Sequence, residues 1–203
     1  MTFELKHYRN TLIAFKEAGY EITLSCTDNL AGKDLQLIHD VDFDPRLSLN
    51  LAKIESDVGA ISTYFFRLRA VHYNLFSADT SSIIDQLIMM GHNVGLHYEN
   101  SKYNKTSEQD IVNSIDVMSK MMNHDVEFFN VHEPTRTGLD LRHFLPNKNR
   151  CYNSSFFDKY KYISDSGGRW REGCFSNFVN KHDKMLVLTH PLWWYENYPG
   201  ENY

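Results

Sequence analysis

The chain has 203 residues, of which 42% are hydrophobic, and this length suits one sizeable hydrophobic core better than two. We therefore expect a single globular domain over residues 1–203, not a disordered or fibrous protein. The formal net charge of -5, without a long run of Lys or Arg, argues against a nucleic-acid partner.

The first half of the chain alternates helical and strand patterns. Apolar residues at helical spacing predict a helix over about residues 3–19, which Gly19 ends. A short strand near 22–25 precedes LQLIHDVD, a buried strand with a polar end. Asp44 and Pro45 predict the start of a second helix. The remaining predictions are strand 61–68, helix 81–92 and strand 93–99.

The second half continues this alternation. Thr106 and Gln109 form a predicted capping box for a helix, and VEFFNVHE then predicts a strand. The remaining predictions are a helix near 139–145 and strands at 151–156, 161–166 and 184–191. Alternating strands and helices indicate parallel β/α units, so we predict an α/β fold: a distorted (β/α) barrel of about seven parallel strands, with incomplete closure as the alternative form of the distortion.

Cysteine content and hydropathy bear on the cellular compartment. Cys26, Cys151 and Cys174 have no paired spacing, which predicts neither a disulfide framework nor a cysteine-rich zinc site. The first ten residues contain no apolar signal core, and no window reaches the roughly 18 to 20 apolar residues that cross a bilayer. We therefore predict a cytoplasmic protein without a transmembrane segment.

Polar, metal-binding residue types recur where the predicted strands end. In parallel β/α folds the carboxyl ends of the strands meet at one rim, where active sites lie. The residues at these ends are His39, Asp40, Asp42, His97, Glu99, His132, Glu133, Asp165 and His190. A mixture of Asp and His without cysteine suits one divalent ion, with zinc expected first and cobalt, nickel or manganese as alternatives.

The spacing within HDVD separates two roles. In an extended strand Asp40 and Asp42 point to the same side, roughly 6 to 7 Å apart, while His39 points away. One aspartate can therefore bind the ion while the other reaches an attacking water. The alternative is an Asp cluster that caps the following helix, but Asp44 already fills that role.

The ordered series HDVDFDP, ISTYFF, GHNVGLH, VHEPT and LVLTHP, over about residues 36–191, resembles the NodB-homology polysaccharide deacetylases, or carbohydrate esterase family 4. The resemblance implies a deformed β/α barrel and a divalent ion held by one Asp and two His. It assigns Asp40 as general base, Asp42 and His97 as metal ligands, and His190 as the general acid.

The chain departs from the family pattern at two motifs. The second motif normally supplies another histidine four residues after His97, where this chain has Ser101. We expect His132, at the place of the third motif's arginine, to be the replacement ligand, with Glu99 as the competing candidate. The fourth motif is loosely kept as DSGGRW, in which Asp165 or Arg169 would orient the base; Asp165 is also the expected acidic partner of His190.

The expected reaction is hydrolysis of an N-acetyl group on a sugar or polysaccharide precursor, with metal-bound water as nucleophile. Candidate substrate-binding residues follow His190 or lie in loops at the same rim: Trp193, Trp194, Tyr73, Asn74 and Arg136. Burial as a lid on the barrel is the alternative for the two tryptophans. Two other functions stay open: a catalytically silent sugar-binding relative, and a metal-dependent phosphoesterase.

Overall fold

The computed structural model describes residues 3–24, 32–99, 107–133, 150–151 and 159–197. Within these ranges eight strands and four α-helices alternate along most of the chain. The strands are β1 (Tyr20–Thr23), β2 (Lys33–Val41), β3 (Thr63–Arg67), β4 (Asn93–Tyr98), β5 (Phe128–Val131), β6 (Arg150–Cys151), β7 (Lys161–Ser164) and β8 (Lys184–Thr189). The helices are α1 (Leu5–Glu17), α2 (Ser48–Asp57), α3 (Ala78–Met89) and α4 (Glu108–Met122).

All strands pair in parallel in one curved sheet, in the order β6-β5-β4-β3-β2-β8-β7. Strand β1 pairs with the first half of β2, and β3 pairs with its second half. Among the described residues β6 and β7 are not paired, so the sheet stays open there. The predicted α/β fold, a distorted and incompletely closed barrel, is confirmed, with eight strands where about seven were expected.

Apolar residues fill both sides of this sheet. Helix α1 places Tyr8, Leu12 and Phe15 fully buried in one core cluster, which explains its helical pattern. Inside the barrel a second set packs around Phe65 and Leu186. Gly95 of β4 is necessary for that packing, because an added Cβ would lie 2.5 Å from the Phe65 ring. The strand that carries His97 can therefore approach the barrel interior closely.

Helix starts follow the predicted chemistry with one correction. The Asp44 side chain accepts a hydrogen bond from the Arg46 backbone N–H, and a short 3-10 helix from Pro45 to Leu47 leads into α2. For α4, the capping box is formed by Ser107 and Asp110, so the prediction of Thr106 and Gln109 was wrong by one residue. The Ser107 hydroxyl accepts from the Asp110 N–H, and the Asp110 carboxylate accepts from the Ser107 N–H.

Several predictions fall on other parts of the chain. Ser101, Arg136, the helix near 139–145 and most of the strand at 151–156 lie outside the described residues. Across the described ranges, the structure contains no helix that is both long and apolar enough to span a membrane. The cytoplasmic location stays a prediction.

Candidate metal and catalytic site

The site lies at the carboxyl ends of the parallel strands. Asp40 and Asp42 come from the end of β2, His97 from β4, His132 follows β5, and His190 follows β8. Because β2 pairs with β3 and β8, and β4 pairs with β3 and β5, these ends meet across the mouth of the barrel. The structure therefore brings together five residues that are up to 150 positions apart in the chain.

Asp42, His97 and His132 form a compact triangle of potential ligand atoms. The Nε2 atom of His97 lies 3.0 Å from Nδ1 of His132. Asp42 Oδ1 lies 3.5 Å from each of these two nitrogens. Within the described part of the chain, this is the one group of three such residues whose ligand atoms all lie within 4.8 Å of one another.

These residues fit a divalent ion. Two nitrogens bound at about 2.0–2.1 Å to a tetrahedral zinc lie roughly 3.3 Å apart, close to the spacing of this triangle. Asp42 Oδ1 is buried and has no hydrogen-bond partner among the described residues, as expected of an atom that a cation would satisfy. Burial, and then the charge of His97, lower the pKa of His132, which favours the neutral imidazole that binds metal.

Glu99, the competing ligand, is engaged elsewhere through one of its two carboxylate oxygens, while its Oε2 is buried without a hydrogen-bond partner among the described residues. Its carboxylate forms an ion pair with the Arg67 guanidinium, which also lies 3.6 Å from Asp42 Oδ1. The Arg67 side chain is only 11% exposed, so it brings a largely buried positive charge to the edge of the metal triangle. Sequence reasoning missed Arg67, because only the pairing of β3 with β4 shows that it lies beside these carboxylates. The geometry favours His132 over Glu99 as the third ligand.

Asp40 and His190 flank the triangle without belonging to it. Asp40 Oδ2 lies 3.6 Å from His97 Nε2, and His190 Nε2 lies 4.0 Å from the same Asp40 oxygen. His190 Nε2 is also 3.8 Å from Asp42 Oδ2. The two aspartates therefore point to the same side of β2, as the strand alternation predicts. An acid and a base can act here on a molecule placed against the triangle.

Asp165 holds His190 in place. Its carboxylate accepts hydrogen bonds from Nδ1 of His190 at 2.6 Å and from the Trp194 indole N–H at 3.1 Å. Burial alone would lower the pKa of His190, but the hydrogen bond and charge of Asp165 raise it to about 9. The predicted pairing of Asp165 with His190 is present. Burial raises the pKa of Asp165, opposed by the hydrogen bond and charge of His190.

Asn130 of β5 contacts both the candidate base and a candidate ligand. Its Nδ2 donates to Asp40 Oδ1 at 2.6 Å, and its Oδ1 lies 2.5 Å from Nδ1 of His97. Sequence reasoning missed this residue, although a polar side chain within the apolar run FFNV was a signal. Arg169, expected as one alternative to orient Asp40, is instead exposed, and its backbone N–H donates to the Asp165 carbonyl.

The two tryptophans after His190 differ. Trp194 is 1% exposed and packs in the core against Phe3 and Tyr8, which agrees with the alternative of burial rather than with contact to a sugar. Its indole N–H donates to Asp165. Trp193 is half-buried and lines a cavity of about 90 Å³ beside Asp40, Asp42 and His190. Its buried indole Nε1 has no hydrogen-bond partner among the described residues. Substrate contact through Trp193 stays a prediction.

The loop residues predicted to bind substrate have local structural contacts. The Tyr73 hydroxyl donates to the Val41 carbonyl and accepts from the Arg67 N–H, so it ties two strand ends together. The Asn74 side chain accepts from the Phe76 N–H in the turn before α3. Arg136 lies outside the described residues. Substrate binding by these three residues stays a prediction.

A second buried cluster lies behind the site, around Glu55 of α2. The Glu55 carboxylate accepts hydrogen bonds from Ser62 and Tyr64 and pairs with His39 Nε2 at 2.8 Å. His39 Nδ1 lies 2.7 Å from the hydroxyl of Thr189, the residue that precedes His190 in the chain. His39 therefore points away from the metal triangle, as predicted, and connects the two strands that carry Asp40 and His190.

No protein-family model matches the chain, and no curated protein matches it. Solved structures do match the chain, and each of the three described below has a TM-score of 0.50. A peptidoglycan deacetylase of Bdellovibrio bacteriovorus is 13% identical, over 87% of this chain and 48% of that one. A mutant of the Bacillus subtilis peptidoglycan deacetylase PdaC is 12% identical, over 80% of this chain and 76% of that one.

A third similar structure is a CE4 family pseudoenzyme of Bacillus anthracis, in a mutant with restored enzymatic activity. It is 12% identical, over 78% of this chain and 57% of that one. The chain thus spans between about half and three quarters of the length of these proteins. At such identities the likeness concerns the fold. The predicted resemblance to carbohydrate esterase family 4 is confirmed at that level.

Proposed function

We propose that this chain is a divalent-metal-dependent hydrolase that removes the acetyl group from an N-acetylated sugar, cleaving a linear amide C–N bond with water. The observation that supports this most strongly is the metal triangle of Asp42, His97 and His132, flanked by Asp40 on one side and by the His190–Asp165 pair on the other. The fold shared with deacetylases agrees with the proposal.

Asp40 is the proposed general base. It is 6% exposed and accepts a hydrogen bond from Asn130 through Oδ1, which leaves Oδ2 directed toward the metal triangle. A water placed between Asp40 Oδ2 and the acetamido carbonyl gives its proton to the carboxylate as it attacks. The tetrahedral carbon then carries the developing oxyanion.

His190 is the proposed general acid. Its Nδ1 donates to Asp165, so Nε2 points into the site toward both aspartates. The hydrogen bond and charge of Asp165 raise the pKa of this ring to about 9 against the effect of burial, which favours the protonated form. Nε2 therefore holds a proton for the amine nitrogen when the C–N bond breaks, and the products are acetate and a free amino sugar.

The proposed ligands Asp42 Oδ1, His97 Nε2 and His132 Nδ1 suit zinc first, with cobalt, nickel or manganese as alternatives. When bound, the ion would act as a Lewis acid, which lowers the pKa of the nucleophilic water and stabilises the oxyanion. The small cavity beside Trp193 has room for an acetyl methyl group.

The two other functions find less support. A silent sugar-binding relative has no need of the acid and base that flank the triangle. A phosphoesterase with two metal ions needs a second ligand cluster. Among the described residues there is a single such cluster, the triangle of Asp42, His97 and His132.

Acetate release from a panel of N-acetylated sugars, before and after removal of metal by a chelator and its replacement by zinc, tests the proposal. We expect release that stops on chelation and returns with zinc. Sugar binding without release by the metal-loaded protein, or release of phosphate from phosphoesters alone, would contradict it.

A further inference from the structure

The carboxamide of Asn130 lies between two functional side chains. Asn130 on β5 and His97 on β4 are register partners in the parallel sheet, so their side chains project on the same face. Asn130 is 9% exposed, and the described structure gives each end of its carboxamide one partner: Asp40 Oδ1 at 2.6 Å and His97 Nδ1 at 2.5 Å. The pair of contacts fixes which way the carboxamide points.

The chemistry of the partners sets this orientation. An ionised carboxylate only accepts hydrogen bonds, so the NH₂ group of Asn130 must face Asp40. The carbonyl oxygen of Asn130 therefore faces His97. An amide oxygen also only accepts, so Nδ1 of His97 must carry a hydrogen.

This requirement decides which nitrogen of His97 is free. A neutral imidazole carries one hydrogen, so with Nδ1 protonated the lone pair is on Nε2. Nε2 is the nitrogen that lies 3.0 Å from His132 Nδ1 and 3.5 Å from Asp42 Oδ1, within the metal triangle. The same carboxamide that holds the candidate base thus holds His97 in the tautomer that can bind metal.

We propose that Asn130 is a positioning residue that serves both halves of the site: it fixes the His97 ring in its metal-binding tautomer and fixes Asp40 with Oδ2 directed at the substrate. The proposal rests on the function proposed above for Asp40 and His97. A neutral amide suits this place because it donates to one partner and accepts from the other without adding charge to a crowded acidic site.

Two substitutions of similar size separate the two contacts. Asn130→Asp keeps an acceptor for His97 but has no N–H for Asp40 and adds a like charge beside it. Asn130→Leu removes both contacts. Asn93→Leu is the matched control, since Asn93 lies on neighbouring β4 at the opposite end of the barrel, half-buried.

We expect Asn130→Leu to bind zinc about 10- to 100-fold more weakly than the wild type in a chelator competition, as loss of a partner behind a metal ligand does. Asn130→Asp should bind zinc at least as tightly as the wild type, while its kcat falls at least about tenfold with KM nearly unchanged. Asn93→Leu should match the wild type in both. Wild-type zinc affinity in Asn130→Leu, or wild-type kcat in Asn130→Asp, would overturn the proposal.

Measurements without substrate keep this test separate from that of the enzymatic function. ¹⁵N NMR of the metal-free wild type should show the neutral His97 ring protonated at Nδ1; protonation at Nε2 would overturn the proposal even if both variants failed to fold. Crystal structures of the variants should show Asp40 displaced in both and His97 displaced in Asn130→Leu alone. An inactive wild type with these properties would refute the deacetylase function and leave the role of Asn130 standing.

Discussion

The carboxylate of Asp165 accepts hydrogen bonds from both the ring and the backbone of His190. The ring Nδ1 lies 2.6 Å from Oδ1, and the backbone N–H donates to the same oxygen at 3.0 Å. Trp194 donates to the other oxygen, so the buried carboxylate is held from three directions. This arrangement turns Nε2 of His190 toward Asp40 and the metal triangle, as a general acid requires.

The first prediction concerns pH. His190 must be protonated to act as the acid, and its pKa is raised to about 9. We therefore expect kcat/KM to fall as pH rises toward 9. A cation bound nearby opposes the proton on His190, so the fall can also lie below pH 9. His190→Ala should flatten this limb and keep the metal, and Asp165→Asn should move it to lower pH. An unchanged pH profile in His190→Ala, with lower thermal stability, would instead make His190 an anchor of the C-terminal segment.

The second prediction separates the two aspartates of β2. Asp40→Asn should leave zinc content nearly intact and lower turnover by about two to four orders of magnitude, as loss of a general base does. Asp42→Asn should lose the zinc, because Asp42 Oδ1 is the carboxylate atom of the triangle. Atomic absorption of both purified variants measures the difference. Equal metal loss would show that the two roles are assigned wrongly.

The third prediction distinguishes His132 from Glu99. His132→Ala should weaken zinc binding strongly, because it removes one corner of the triangle. Glu99→Gln should largely retain zinc, since Glu99 is paired with Arg67. Calorimetric titration of the metal-free variants with zinc gives both affinities. The opposite ranking would make Glu99 the third ligand.

The fourth prediction concerns the buried Glu55. Burial opposes its ionisation, but His39 and its other partners lower its pKa to about 2 from an ordinary value of 4.5. The stability it contributes is therefore present above pH 4.5 and is lost as pH falls toward 2. Glu55→Gln should lower the free energy of unfolding by about 3 kcal/mol at pH 7, because it leaves a buried partner unpaired.

Urea unfolding at a series of pH values measures this effect. The difference in stability between wild type and Glu55→Gln should shrink as pH falls from 4.5 toward 2. Glu17→Gln, at an exposed glutamate of α1, is the matched control and should behave as the wild type. The same pH dependence in Glu55→Gln and wild type would contradict the role assigned to Glu55.

The residues at the strand ends could be predicted from the sequence, because side chains alternate along a strand and the carboxyl ends of parallel strands lie at one rim. That logic predicted that Asp40, Asp42, His97 and His190 lie near one another, and the structure brings each of the two aspartates within 4.0 Å of both histidines. It could not find Asn130, Arg67 or Glu55, whose roles depend on which residue the neighbouring strand or helix sets opposite them. Trp193 and Trp194 could not be told apart either, because a short 3-10 helix from Pro191 to Trp193 sends them to different environments.

Titration of the metal-free protein with zinc, with acetate release from an N-acetylated sugar followed at each step, tests the central claim most directly. The account predicts a rate that rises in proportion to added zinc and levels off at one ion per chain. Acetate release that is undiminished in the metal-free protein, or a fully loaded protein that releases no acetate from any N-acetylated sugar, would contradict it.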